Sequence, residues 1–244
     1  MDSEYGARYR DLYQRHWWWR ARERVILDAL RARRPAAGWG NVLDIGCGDG
    51  LFFDELAKLP GVRLVEGVEP AEALVTRNGP HRARIHVVPF DAGFDVGRRY
   101  SLITMLDVLE HLVDPAASLR HAVSLLEPEG VLLATVPAFT ALWTRHDDLN
   151  HHYNRYDKKT FGALAAEAGL RVDELRYFFH WTAVAKVAIR LKEAIIPGDP
   201  VSPSVSWGPV NRALYALSTF EERALRAIAL PFGSSLLVVG GARG

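Results

Sequence analysis

Val42-Leu43-Asp44-Ile45-Gly46-Cys47-Gly48-Asp49-Gly50 is the stretch from which the rest of the chain can be read. Val42, Leu43 and Ile45 suit a short buried strand, and Asp44 sits near its end. Glycines follow at every second position, and Leu51 to Leu59 opens a helical pattern. A strand that turns sharply into a helix leaves backbone N–H groups free at the turn. Glycine lets a ligand approach that backbone closely and accepts a positive φ. The stretch therefore predicts a strand–loop–helix cradle for a nucleotide-like cofactor.

The spacing narrows the cofactor. Gly-x-Gly-x-x-Gly with a later acid would point to a dinucleotide. Here the glycines are spaced Gly-x-Gly-x-Gly, with Asp44 ahead of them. No Lys-Ser/Thr pair follows, which argues against a triphosphate-binding P-loop. Further on, Val65-Glu66-Gly67-Val68-Glu69-Pro70 reads as a second strand ending in an acid. Glu69 is placed to accept hydrogen bonds from two ribose hydroxyls.

Asp-x-Gly-x-Gly-x-Gly resembles motif I of the class I methyltransferases, which use S-adenosylmethionine (SAM). That cofactor lacks a pyrophosphate and has a cationic methionine end, which suits an acidic strand end. The resemblance implies cofactor contacts from Asp44, Gly46, Cys47, Gly48, Gly50, Glu69 and Pro70. It puts Asp91 at the adenine amino group, with Phe90 or Ala92 against the ring, and adds Leu106 and Asp107 at the end of the fourth strand.

The chain has 244 residues, which suits one α/β domain with modest insertions. A net charge of +1 gives no basic footprint for nucleic acid, so no such partner is expected. The single cysteine, Cys47, excludes an intramolecular disulfide and fits a reducing compartment, hence a cytoplasmic location. It reads as a small residue of the cofactor loop in preference to a nucleophile. Met1-Asp2-Ser3-Glu4 does not open a signal peptide, and no apolar run is long enough for a membrane span.

Along the chain, residues 4–34 read as helix with an early break, stopped by Pro35. His16-Trp17-Trp18-Trp19-Arg20 splays its tryptophans through about 200° of arc, so one faces away from the main apolar stripe. The tryptophans serve either helix packing or a lid over the site, with Trp17 and Trp18 against substrate. Gly38-Trp39-Gly40 reads as a linker. A short helix (Ala71 to Arg77), a third strand (Arg84 to Val88) and a fourth strand (Tyr100 to Leu106) follow. Asp114-Pro115 caps a helix reaching Leu126, and Val131 to Val136 is a fifth strand. Ala138 to Asp157 reads as a long functional loop. Asp157 caps a helix over Thr160 to Ala168, and the sixth strand lies within Leu170 to Phe179. Residues 180–232 read as an insertion of two or three helices, interrupted by a Pro/Ser/Gly-rich loop from Pro197 to Pro209. In the first of them Lys186, Arg190 and Glu193 share a polar face, with Val184, Val187, Ala188 and Leu191 on the other side. The last strand runs from Phe232 to Val239.

Alternating strands and helices support a doubly wound sheet. The methyltransferase resemblance implies seven strands in the Rossmann-like order 3-2-1-4-5-7-6, mostly parallel, with the last strand antiparallel. The likeness covers essentially the whole chain from Asn41, and the chain as a whole reads as one domain: an N-terminal helical lid (1–37), a SAM-binding core (38–179), a helical insertion or acceptor cover (180–232) and the last strand (233–244).

Three further motifs, at residues 16–22, 106–112 and 146–156, resemble a bacterial small-molecule subgroup similar to the ubiquinone-pathway O-methyltransferases. The usual Gly-His-x-Arg-Arg-Tyr of the last motif is His151-His152-Tyr153-Asn154-Arg155-Tyr156 here. Methylating a neutral hydroxyl needs a base, and histidine serves near neutral pH. The candidates are His111, His146, His151 and His152, with His152, then His146, preferred because these two hold the subgroup's His positions in the loop after the fifth strand. Trp143, Arg155 and Tyr156 join the acceptor side, Arg155 and Tyr156 anchoring either the loop or an acceptor carboxylate. A second reading takes Asp107, Glu110 and His111 as a divalent-metal cluster, with His146 or His152 completing the set. It rests on the likeness of Asp-x-x-Glu-His to Glu-x-x-Glu-His of metal-assisted methyltransferases. A third takes the protein as a SAM-binding cyclase or regulatory subunit that methylates nothing. The expected partner is a small-molecule acceptor, the expected state monomer or homodimer. The 180–232 segment could cover the sheet edge, shape an apolar acceptor pocket or rest on a membrane surface.

Overall fold

The computed structural model describes residues 3–196, 198–199 and 202–243. Met1, Asp2, Gly244 and part of the expected 197–209 loop lie outside the described residues. Seven strands form one sheet in the order β3-β2-β1-β4-β5-β7-β6. They are β1 (Asn41–Ile45), β2 (Leu64–Val68), β3 (Ile85–His86), β4 (Tyr100–Leu106), β5 (Leu126–Pro137), β6 (Leu170–Phe178) and β7 (Ser235–Ala242). The first five are mutually parallel, and β7 lies antiparallel between β5 and β6. This is the expected Rossmann-like topology.

Strand alternation sorts side chains onto two faces. On one face Leu43, Ile103 and Leu132 meet helices α4 (Pro115–Ser124) and α6 (Lys158–Glu167) through Leu119 and Phe161. On the other, Val42, Leu102 and Leu133 meet α2 (Trp17–Ala32) through Ile26 and Leu30, with Trp39 wholly buried among them. Each fully buried Leu or Ile contributes roughly 1.5–3 kcal/mol. Asp44, Thr104 and Thr135 belong to the α2 face by the same alternation, and form a polar row near the carboxyl ends of adjacent strands.

The break in the N-terminal helix falls at His16, which separates α1 (Ser3–Arg15) from α2 and whose Nδ1 accepts the Trp18 N–H. Several expected elements are shorter. The Leu51–Leu59 pattern yields only α3 (Phe53–Ala57), because Gly50 and Pro60 close a segment with little room to propagate. Ala71–Arg77 supplies a single 3-10 turn, Glu72–Leu74. β5 starts at Leu126, ahead of Pro128 and Gly130, where a helix end had been expected. The 138–157 loop is partly ordered as a 3-10 turn (Thr140–Leu142) and helix α5 (Arg145–Leu149).

The insertion holds α7 (His180–Ile195) and α8 (Gly208–Leu225). Glu221 of α8 accepts the N–H groups of His180 and Trp181, capping α7. α8 lies on α2: Asn211 bonds to the Trp17 N–H and the Arg15 carbonyl, and Arg20 lies over the Tyr215 ring. The segment therefore packs on the N-terminal helices and also reaches the sheet edge, where Glu222 of α8 pairs with Arg176 of the edge strand β6. Val184, Val187, Leu191 and Ile195 of α7 are exposed, so its apolar side faces solvent. Among the described residues no helix is long and apolar enough to cross a membrane.

Candidate active site

The glycine loop sits between β1 and α3. Gly46 has φ +71°, and a Cβ there would lie 2.6 Å from Val108 Cγ2, so a side chain is excluded on both counts. Gly48 has φ +53°, but a Cβ would meet nothing nearer than Tyr9 Cε1 of α1 at 3.9 Å. That face of the loop is open space beneath α1. Arg10 holds α1 there, 2.8 Å from Asp49 Oδ2, and Asp49 also accepts from Thr76 N–H and Oγ1. Asp49 is thus the clasp between α1, the loop and the segment after β2, a role its place between two glycines did not announce.

Asp44 is buried and accepts the Thr104 hydroxyl at 2.6 Å. Burial pushes its carboxyl up to about 7, partly offset by the Thr104 bond and the charge of Arg22. Glu69 is buried too; Oε2 accepts the Gly48 N–H at 3.0 Å and Oε1 the Ala71 N–H at 2.8 Å. Burial raises its carboxyl as well. Two desolvated carboxylates flank an open glycine turn, and a cationic ligand with vicinal hydroxyls fits that donor and acceptor set.

The remaining expected cofactor positions differ among themselves. Cys47 turns its Sγ away from the open face, against Gly67, where a Cβ would come within 2.5 Å of it, and burial pushes the thiol pKa up. Its N–H bonds to the Val68 carbonyl, so any cofactor contact is limited to what the loop backbone offers. Pro70 and Ala92 are exposed, and Leu106 is half-buried. Asp91 is exposed and closes its own turn onto the Gly93 N–H at 2.8 Å. The Phe90 ring packs on Phe94 and His121, with centroids 5.6 and 5.1 Å away.

Beyond β4, Asp107 has φ +56°. Its carboxylate accepts the Thr135 hydroxyl at 3.0 Å and pairs with Arg22, which descends from α2, at 2.9 Å. Asp107 is therefore engaged by α2 and does not join the metal-ligand set expected of it. The grouping that does form is Glu110, His111 and His152, whose donor atoms lie within 4.8 Å of one another. Glu110 is buried, its Oε2 has no hydrogen-bond partner, and burial together with the Asp107 charge pushes its carboxyl well up. His111 packs edge-on to His152 at 4.7 Å, and desolvation plus that neighbour lower it to about 4.

Helix α5 supplies the organising residue, Asp147. It is fully buried; Oδ1 accepts His152 Nδ1 at 2.8 Å and Arg155 Nε at 2.8 Å, and Oδ2 accepts Arg155 Nη2 at 3.0 Å and Thr144 N–H at 2.9 Å. Burial alone would raise this carboxyl, but the bonds from His152 and Arg155 hold it far below the usual range. Fixing Nδ1 leaves His152 Nε2 toward His111 and Glu110. His146 is lowered to about 4 by burial and by the charge of Lys186, and its Nε2 lies 2.9 Å from the Asn150 amide, so that nitrogen is engaged locally.

Arg155 also donates to the Ala138 carbonyl, and the Tyr156 hydroxyl bonds to the Leu109 carbonyl at 3.1 Å; both residues are buried. Of the two roles expected for them, these contacts are those of loop anchors. Trp143 is tied to Asp148. Trp17 packs on Trp181 and Trp18 on Phe179, with Arg22 over the Trp18 ring. All three tryptophans of the run are half-buried.

Residues 9–175 match the family model described as "Methyltransferase domain". The chain belongs to the methyltransferase-domain family. The N-methyltransferase NodS from Bradyrhizobium japonicum, solved in complex with S-adenosyl-L-homocysteine, superposes with a TM-score of 0.55 at 16% identity, over 93% of this chain and 88% of that one. The chain is 33% identical over 111 residues, 43% of each chain, to a protein from Azorhizobium caulinodans named ubiquinone biosynthesis O-methyltransferase. It is 29% identical over 195 residues to the protein of that name from Xanthomonas axonopodis pv. citri, covering 68% of this chain and 77% of that one. The match spans 43% and 61% of the length of the first curated relatives. Among solved structures, a Haloferax volcanii methyltransferase in complex with the activator Trm112 superposes with a TM-score of 0.61 at 20% identity, over 99% of this methyltransferase and 95% of that chain.

Proposed function

We propose that this methyltransferase O-methylates a hydroxyl of a small-molecule acceptor, with His152 as general base. The observation that carries this is the 2.8 Å contact of Asp147 Oδ1 with His152 Nδ1. A base oriented by a buried carboxylate is the arrangement that activates hydroxyls elsewhere. The acceptor hydroxyl hands its proton to His152 Nε2, and Asp147 stabilises the imidazolium that forms. Bound SAM supplies an electrophilic methyl carbon. The name O-methyltransferase among the relatives supports oxygen as the acceptor atom.

In this reading Asp44 faces the cationic end of the cofactor, Glu69 the ribose, and Gly46, Gly48 and Gly50 give the backbone its close approach. Residues 1–37 act as the lid and 180–232 as the acceptor cover. The exposed apolar side of α7 suits an acceptor with an apolar tail, or a membrane surface that presents one. A buried, protonated Cys47 suits the cytoplasm.

One observation favours a second reading. Glu110 Oε2 is buried without a partner beside His111 and His152. A divalent cation held by these three would satisfy that oxygen and draw the acceptor hydroxyl to itself as a Lewis acid. His152 would then be a ligand oriented by Asp147 and no longer a base. Incubation with methyl-labelled SAM and cell extract, followed by mass identification of the labelled product, tests the function. Repeating it with chelator present separates the readings: transfer that survives chelation supports His152 as base. Labelled methyl on nitrogen or carbon, or on nothing, would refute O-methylation.

A further inference from the structure

Helix α7 presents Lys186, Arg190 and Glu193 along one face, at spacings of four and three residues. The lower part of that face is clamped to the 140–145 segment. Arg190 Nη1 donates to the Ala141 carbonyl at 2.9 Å, and Glu193 Oε2 accepts the Arg145 N–H at 3.1 Å. Lys186 lies one turn nearer the start of the helix, about 6 Å along its axis. The same face carries it toward α5, where its charge lowers the His146 imidazole and the Asp147 carboxyl, while Arg155, Asp147, Asp107 and Glu193 act on it in turn.

Each of those carboxylates is already engaged. Asp147 holds Arg155 and His152, Asp107 holds Arg22, and Glu193 holds the Arg145 backbone. Glu110, the other acid of the site, is pushed toward its neutral form. Lys186 itself is half-buried and makes no hydrogen bond or ion pair among the described residues. Arg22 is thus paired with Asp107 and Arg155 with Asp147, which leaves Lys186 as the cation of this group that no acid holds by a hydrogen bond. A partly buried ammonium without an acceptor is unfavourable, and such groups normally find a partner.

We infer that Lys186 receives an acidic substituent of the acceptor, a carboxylate or a phosphate, and so makes this enzyme selective for anionic hydroxylated substrates. The inference rests on the role of acceptor cover proposed above for residues 180–232, with the acceptor held between His152 and the polar face of α7. Lys186 acts as a binding and orienting residue: it fixes the acceptor at one end while the hydroxyl faces the base at the other. Burial, with Arg155 beside it, lowers the ammonium to about 8, and an incoming anion would reverse that shift.

The chain has five lysines, at 58, 158, 159, 186 and 192, so a spectrum of the protein labelled with carbon-13 at lysine Cε can be assigned by substitution. The protein loaded with S-adenosylhomocysteine is titrated with sodium benzoate and with sodium phosphate against sodium chloride at constant ionic strength. The signal lost in K186R should shift saturably with at least one of the two anions while the other four follow chloride; which anion does so tells carboxylate from phosphate. Calorimetry with that anion should show affinity about tenfold lower in K186M, the value of one charge-assisted hydrogen bond, and largely kept in K186R. No saturable shift with either anion, or equal affinity in K186M, overturns the inference. Binding of S-adenosylhomocysteine, measured in the same samples, tests the cofactor site separately. Labelled product from the extract experiment tests methyl transfer, so failure of either is not mistaken for failure of the anion site.

Discussion

Arg22 Nη2 lies 2.9 Å from Asp107 Oδ2, so a residue of the N-terminal helices pins the left-handed turn that follows β4. The Arg22 side chain is nearly inaccessible, and it also donates to Thr135 on β5. Removing one member of a buried pair strands the other. Arg22→Met or Asp107→Ala should each cost about 3 kcal/mol, the lower end for such pairs because Asp107 keeps some solvent contact. In urea unfolding the double variant should cost clearly less than the sum of the two. Additive losses would mean that the pair is not coupled.

Asp147 and His152 separate stability from chemistry. His152→Ala should lower turnover by roughly 10²–10⁴-fold with cofactor affinity nearly unchanged. Asp147→Asn should do this and also destabilise by about 3–5 kcal/mol, because Arg155 is left buried without its anion. The Asp147 carboxyl is held below its unfolded value, so its stabilisation is complete above the unfolded pKa of about 3.9 and is lost as pH falls further. Acid unfolding of Asp147→Asn should therefore be the shallower of the two. Identical acid profiles would contradict the role given to this carboxylate.

Asp44 shifts the other way. Its folded pKa near 7 lies above the unfolded value, so the free enzyme binds an extra proton between about pH 4 and 7 and loses stability as pH rises through that window. A cationic ligand needs the carboxylate, so binding releases the proton. SAM affinity should fall about tenfold per pH unit below 7 and level off above it. Asp44→Asn should bind weakly at every pH. Calorimetry in two buffers of different ionisation enthalpy would reveal the released proton, and a pH-independent affinity would remove Asp44 from the cofactor site.

The glycines at 46 and 48 predict different failures. Gly46→Ala drives a Cβ into Val108 and should unfold the loop, while Val108→Ala in the same chain should recover part of the lost melting temperature. Gly48→Ala has room around its Cβ and a backbone cost of roughly 1–2 kcal/mol. It should fold, yet bind SAM poorly because the methyl fills space left for the ligand. Full SAM affinity in Gly48→Ala would place the cofactor elsewhere.

The sequence carried the strand order through family resemblance, and the positions of Asp44 and Glu69 through chemistry that is local: a strand end, a turn, a following helix. It could not reveal the partners that long-range packing supplies. Thr104 and Thr135 face Asp44 and Arg22 only because alternation in separate strands turns them to the same side. Asp147 and Asp148 are adjacent in the loop motif, and on a helix adjacent residues point about 100° apart. Only the folded loop tells that Asp147 faces inward and Asp148 outward. Asp107 matched a ligand pattern by spacing alone, and Arg22, far earlier in the chain on α2, claims it instead. Helix lengths failed where short patterns such as Leu51–Leu59 lacked room to propagate. The polar face of α7 was legible, but the solvent exposure of its apolar side was not, because periodicity cannot tell which side meets a neighbour.

The placement of β7 between β5 and β6 bears on how the molecule is made. During synthesis β5 and β6 leave the ribosome with no hydrogen-bonding neighbour on their facing edges until Ser235–Ala242 emerges. The nascent enzyme thus carries two sticky strand margins through the whole translation of α7 and α8, and the sheet can zip shut only once that late segment arrives.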